Sequence, residues 1–398
     1  MTPRRRRASD LESFIGRELH KILFLEEFVF SRNKFVSPAS GELELADAVV
    51  MLGDVLLIFQ IKERLIDGKV DASAEKKWFD GKVLGKATRQ VRDTLRYLQS
   101  FPEIFVPNER GHMFNLAANS FAEIIKIVIY FPSPKLPTEC RHIHHHVSET
   151  GGFIHIMDAH DYVQLSQILR VPQEVIEYFR LRERVLTEFK NECSDLSESA
   201  LAGHFIGERD NKTPPNKNSI SFLHRLVDDR ESWDIAPLLR GLHENLSGSS
   251  ESTKYYAILL EFMKLPRSAW RIVKERIMLC HENVLNDQRI LPYRFVNRKT
   301  DCGFVFIPVH SEFVQNSNWP TIRDTAIENM VRLHKYDQRL SKCVGYLVGK
   351  DGNYFDINWG LLSHEWTEDV EVQKILEENF PFRPVREAEL FGYYITDE

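Results

Sequence analysis

The chain has little of what marks several common protein classes. Its 398 residues hold five cysteines, Cys140, Cys193, Cys280, Cys302 and Cys343, widely spaced and with no Cys-x-x-Cys pair. That usage argues against a structural zinc ribbon and for a reducing cytosol. No run approaches the roughly 18 to 20 apolar residues needed to cross a bilayer. The basic start is not followed by an apolar stretch, so neither a membrane segment nor a secretory signal is expected, and the expected compartment is the cytoplasm. Excess positive charge is also lacking: the formal net charge is -6. Contact with phosphates therefore needs a local basic patch against an acidic average. One is visible at Arg4 to Arg7. We read residues 1–8 as a solvated tail in preference to a phosphate-gripping arm, because like-charge runs repel and stay extended.

What is present is an ordinary globular composition, 43% hydrophobic and 28% charged, with length for two or three domains. The most informative stretch runs from Leu43 to Arg64. Two apolar runs, Leu43 to Leu52 and Val55 to Lys62, flank Gly53-Asp54, which suits a two-residue hairpin turn. If Leu52 faces Val55, counting back sets Val50 against Leu57, Ala48 against Phe59 and Asp47 against Gln60. Alternation then brings Lys62 to the same face as Gln60, beside Asp47. A carboxylate, an amide and an ammonium converge at the end of an apolar ribbon. Such groups are costly to bury unpaired, so they must satisfy one another or bind something, a divalent cation being the obvious candidate.

The flanking elements are legible in outline. Ser9 to Glu12 has capping-box form, and a first helix is expected from about Ser9 to Glu27. Phe28 to Val36 reads as a strand, Leu65 to Phe79 as a polar loop, Asp80 to Gln99 as a helix and Glu123 to Phe131 as a buried strand. The order is α-β-β-β-α-β.

Asp47, then Gln60-Ile61-Lys62, in that element order, resembles the PD-(D/E)XK nuclease superfamily in the Gln-x-Lys form of the Mrr-like restriction endonuclease branch. Gln60 departs from the acidic residue of the majority pattern, and Ala46 stands where the family name has Pro. The resemblance covers the chain to about residue 131, or to 190 with the following strand and helices. It implies a restriction-endonuclease-like core and a metal-dependent endonuclease acting on DNA in restriction or antiviral defence. Asp47, Gln60 and Lys62 would be catalytic. Asp47, the side-chain carbonyl of Gln60 and the backbone carbonyl of Ile61 would hold Mg²⁺, or Mn²⁺ in its place. Replacing a second carboxylate by an amide removes a negative charge, so another acid is sought. Glu18 on the first helix ranks slightly above Glu44, whose side chain should point to the opposite face of a regular strand. The resemblance further implies that Lys86 or Gln90, on the helix from Asp80, meets the site or the substrate phosphate. A solvated helical face is the alternative for those two, and a salt-bridged strand end is the alternative for the trio.

The rest of the chain carries no chemistry of its own. His142, His144, His145 and His146 cannot all meet one ion, since adjacent residues of an extended chain point to opposite sides. Phe153 to Met157 reads as a strand; Asp158 to Leu169 and Val171 to Leu186 read as helices. The expected architecture is α/β: a nuclease-like domain over residues 9–190, a helical region over 191–285 and a small β-α-β-β-α unit over 286–398. Residues 191–398 would supply specificity, self-association or a surface for a partner protein. No membrane contact is expected. The alternative function is a nuclease-fold module, catalytically weak because of Gln60, that binds nucleic acid or a protein.

Overall fold

The computed structural model describes residues 10–37, 41–64, 70–117, 121–208, 212–242 and 253–383. The arginine tail, Ser9 and residues 65–69 of the expected polar loop lie outside them. The fold is mixed α/β, in two compact units that divide between Val227 and Asp228, inside the stretch grouped above as one helical region. The described residues of 191–227 belong to the unit with the N-terminal sheet, and those of 228–383 to the unit with the C-terminal one.

In the first unit the strands are β1 (Val29–Phe30), β2 (Lys34–Ser37), β3 (Gly41–Glu44), β4 (Ala48–Leu52), β5 (Val55–Glu63), β6 (Phe105–Pro107), β7 (Met113–Asn115), β8 (Glu123–Phe131), β9 (His145–Ser148) and β10 (Gly152–Asp158). Six of them form a mixed sheet in the order β1-β4-β5-β8-β10-β9. β1, β4 and β5 are antiparallel neighbours, β5, β8 and β10 run parallel, and β9 closes the far edge antiparallel. β5 and β8 are apolar nearly throughout because helices cover both faces. The β4–β5 hairpin has the register counted from its turn: Leu52 opposite Val55, Val50 opposite Leu57, Ala48 opposite Phe59. Gly53 adopts φ +66°, at the first central position of the turn, where a side chain is disfavoured.

Several elements differ from expectation. The first helix is shorter and broken into Asp10–Ser13, a wider π-turn over Phe14–Leu19 and His20–Phe24, and it ends where Leu25 takes φ +65°. The strand expected over Phe28 to Val36 is two strands, because Asn33 turns its amide back to the Phe30 carbonyl at 2.9 Å. The run Leu43 to Leu52 is likewise split, since β3 pairs with β2 in a separate ribbon and only β4 joins the main sheet. The polar segment before Asp80 is helical from Ala72, capped by the Asp71 carboxylate accepting from the Ala74 amide at 2.8 Å. That helix runs through a π-stretch, Phe79–Ala87, into Thr88–Ser100.

Residues paired across the ladders share a face. Val49, Leu56 and Ile58 pack with Leu98 of the helix Thr88–Ser100, and Val128, Tyr130, Ile154 and Ile156 pack with Phe79, Val83 and Val91. The opposite face meets the N-terminal helix. A Cβ on Gly16 would sit 3.2 Å from the Ala48 Cβ and 3.5 Å from the Ile61 side chain, so only glycine lets that helix approach so closely. The buried His20 ring lies against Phe59 on the same side.

The second unit has strands β11 (Tyr293–Asn297), β12 (Cys302–Pro308), β13 (Lys342–Asp351) and β14 (Tyr354–Ser363) in that spatial order. The outer pairs are antiparallel and β12–β13 is parallel, joined through the helix Trp319–Asp337. β11 adds a strand to the arrangement expected there. Among the described residues no helix is long and apolar enough to cross a membrane.

Candidate active site at the end of the hairpin

Asp47 occupies the bend just before β4. Its backbone is held from two directions: the Asn33 side chain accepts from the Ala46 amide at 3.1 Å, and the Thr94 hydroxyl donates to the Leu45 carbonyl. Asn33 and Thr94 are themselves buried. The bend thus puts the Asp47 carboxylate beside β5, where its Oδ2 accepts from the Ile61 amide at 2.6 Å and from Lys62 Nζ at 2.7 Å. Lys62 Nζ also donates to the Gln60 side-chain carbonyl at 3.3 Å and to the Ile61 backbone carbonyl at 3.0 Å. The Asp47 and Lys62 side chains are only 8% and 9% exposed, so the pair is shielded from solvent. Three oxygens, one carrying formal charge, surround one ammonium. They are the three oxygens expected to hold a metal ion, and the resident cation is Lys62.

Gln60 and Lys62 pair in register with Val128 and Tyr130 of β8, so the trio faces the side covered by the helix from Ala72 to Ser100. Lys86 and Gln90 lie on that helix, half-buried. Gln90 is one turn before Thr94, and its side-chain carbonyl is buried without a hydrogen-bond partner. Glu18 is carried by the helix that crosses the opposite face at Gly16; it is largely exposed and lies 3.6 Å from Arg17. Glu44 is exposed on β3, across the small ribbon from Lys34. Neither acid joins the hydrogen bonds or ion pairs of Asp47, Gln60 and Lys62. Among the described residues no group of three or more His, Cys, Asp or Glu side chains is placed to hold a metal ion.

A support network that the sequence does not reveal lies where β5 ends. Arg64 Nε donates to the fully buried Glu75 at 2.7 Å, and Glu75 accepts the Ser133 amide at 3.1 Å. The Arg64 amide donates to the Phe131 carbonyl at 2.9 Å. These bonds tie the ends of β5 and β8 to the helix starting at Ala72. A second buried network lies beyond the sheet, where Arg182 donates to both Glu198 oxygens, to the His144 and Ile156 carbonyls and to His155 Nδ1. Tyr178 also donates to Glu198. Burial works to raise the Glu198 carboxyl, and the Arg182 guanidinium overrides it, so the group stays well below the usual carboxylate range. His144 faces this network and His145 stacks on Phe153.

Comparison with family models, curated proteins and solved structures finds no match to this chain.

Proposed function

We propose that the first unit is a metal-dependent nuclease that hydrolyses phosphodiester bonds in DNA, with Asp47, Gln60 and Lys62 at its centre. The observation that carries this reading is the closure of three hard oxygens, from Asp47, Gln60 and Ile61, around a single cation at the end of a hairpin. The strand order β1-β4-β5-β8, with β8 parallel to β5, supports the restriction-endonuclease-like core that the Asp47 and Gln60-Ile61-Lys62 pattern resembles.

The donor set suits Mg²⁺ or Mn²⁺ in kind: a carboxylate, an amide carbonyl and a backbone carbonyl. A divalent ion bound there supplies a water of lowered pKa and charge stabilisation at the phosphate. In this reading Lys62 releases the three oxygens on metal binding, and its ammonium turns to the attacking water or the phosphate. Asp47 stays fixed by the Ile61 amide. Lys86 and Gln90 present a polar helical face on the trio's side, suited to a substrate phosphate. A role in defence against foreign DNA follows from the resemblance alone.

A second reading, a nuclease-fold module that binds nucleic acid or a protein without cutting, is favoured by one feature: the trio already satisfies itself, with an amide where a second charge would strengthen metal binding. The two readings separate when the full chain is incubated with plasmid, single-stranded DNA and RNA, in Mg²⁺, Mn²⁺ or EDTA, beside Asp47→Ala and Lys62→Ala. Metal-dependent cleavage lost in both variants is the expected result. Binding without cleavage, unchanged by either substitution, would favour the module.

A further inference from the structure

In the second unit, the helix Trp319–Asp337, the end of β14 and the segment leading to the helix Val370–Glu378 enclose a cavity of about 350 Å³. Its wall includes Lys335, Arg332, Tyr336, His364 and Trp366. Lys335 is unusual there because only 3% of it is exposed, yet no carboxylate lies within ion-pairing distance among the described residues. Among the described residues its Nζ has one neighbour in hydrogen-bond range, His364 Nδ1 at 3.3 Å. The same Nδ1 lies 2.8 Å from the Glu365 carbonyl. One imidazole nitrogen can accept from the ammonium or donate to the carbonyl, not both. A buried ammonium with at most one weak acceptor is costly, so the arrangement is suited to an anion that enters from the cavity.

The other walls suggest what the anion is attached to. The Trp366 indole donates to the Tyr336 carbonyl at 3.2 Å, which fixes its ring, and the Tyr336 ring lies 5.5 Å away at 34°. The Arg339 guanidinium lies over Trp366 at 5.6 Å. A second cavity of about 450 Å³ shares Tyr336 and Trp366 with the first, so the groove continues past the aromatic pair. Arg332 is held by Asp369 at the rim and Glu328 is exposed, while Asp301 and Glu365 act on Lys335 only from beyond ion-pairing distance, so its ammonium has no direct ion pair among the described residues. Burial also lowers the Lys335 pKa from the ordinary lysine value, an effect that a bound anion would reverse.

We propose that this cavity binds a small planar organic anion, its phosphate or carboxylate against Lys335 and its ring along Trp366. The volume is that of a small-molecule site, with one aromatic pair, Tyr336 and Trp366, set among mostly charged and polar walls that include Lys335, Arg332 and His364. The site rests on the second unit alone and is independent of the nuclease reading.

The test is calorimetric titration of the full chain with adenosine monophosphate and with benzoate, alongside adenosine and inorganic phosphate as the separated halves. Lys335→Met keeps the side-chain stem while removing the charge, and its fold is checked by circular dichroism. At least one of the two intact anions should bind more tightly than either half, and Lys335→Met should weaken that binding about tenfold or more, the loss of a charge-assisted hydrogen bond. Which anion binds separates a phosphate from a carboxylate head. No binding by either anion, binding unchanged in folded Lys335→Met, or inorganic phosphate binding as tightly as the intact ligand would each overturn the proposal.

Discussion

Replacing Lys62 by Met tests the central geometry most directly. The substitution keeps the stem but removes the ammonium that donates to Asp47 Oδ2, the Gln60 carbonyl and the Ile61 carbonyl. With both side chains under 10% exposed, the lost partner leaves a shielded carboxylate with one remaining donor, the Ile61 amide. Breaking a buried pair from one side costs about 3–5 kcal/mol. If the three oxygens form a cation site, Mg²⁺ should restore part of this, because a ligand at 100 times its Kd stabilises by about 2.7 kcal/mol. Wild-type protein should gain less, since its own ammonium competes for the same oxygens. Two units make global unfolding a poor probe, so the measurement is hydrogen exchange along β4 and β5, with the Ile61 amide as reporter. In EDTA the variant should exchange faster across the hairpin, and Mg²⁺ should slow it again. A variant as protected as wild type in EDTA would refute the claim that the pair holds the hairpin end. One that loses protection and regains none with Mg²⁺ would leave a structural ion pair and remove the metal from the proposed function.

Glu198→Gln should destabilise the first unit by about 3–5 kcal/mol, because Arg182 is fully buried and the substitution leaves its charge without a counter-ion; hydrogen exchange along β9 and β10 as slow as in wild type would count against this. His20 is held neutral by burial, its pKa lowered to about 3, so between that value and the ordinary 6.5 the unfolded chain binds the extra proton. Its contribution is complete above pH 6.5 and shrinks as pH falls, with a slope of at most about 1.4 kcal/mol per pH unit. The opening free energy read from hydrogen exchange along His20–Phe24 should therefore vary less with pH across that window in His20→Phe, and an identical slope would refute the assignment.

The parts of the site that were legible in the sequence are those set by local rules. A two-residue turn fixes register, and period-two alternation fixes face, so Asp47, Gln60 and Lys62 could be brought together by counting from Gly53. β8 and the helix Pro172–Glu188 were visible for similar reasons, as a β-rich apolar run broken only by Lys126 and a Pro-initiated amphipathic stretch. What the sequence hid depends on distant partners. Asn33 captures the Ala46 amide and Thr94 takes the Leu45 carbonyl, which ends β3 and starts the bend inside what reads as one apolar run. Glu44 and Glu18 could not be excluded beforehand, because their separation from the trio comes from β3 joining β2 and from the first helix crossing the other face. β11 alternates buried and half-buried positions, but Arg294 and Asn297 dilute its apolar signal. The Arg182 network draws on His144, His155, Tyr178 and Glu198, a set with no common spacing.

The parallel pairing of β5 with β8 also has a kinetic side. The hairpin can close once β5 itself has been synthesised, but β5 acquires its other neighbour only after about sixty more residues have followed Glu63. Until then the lysine and aspartate remain wet, and one long apolar edge stays open to any passing strand. An apolar strand edge left open in this way invites mispairing with other chains until β8 fills it.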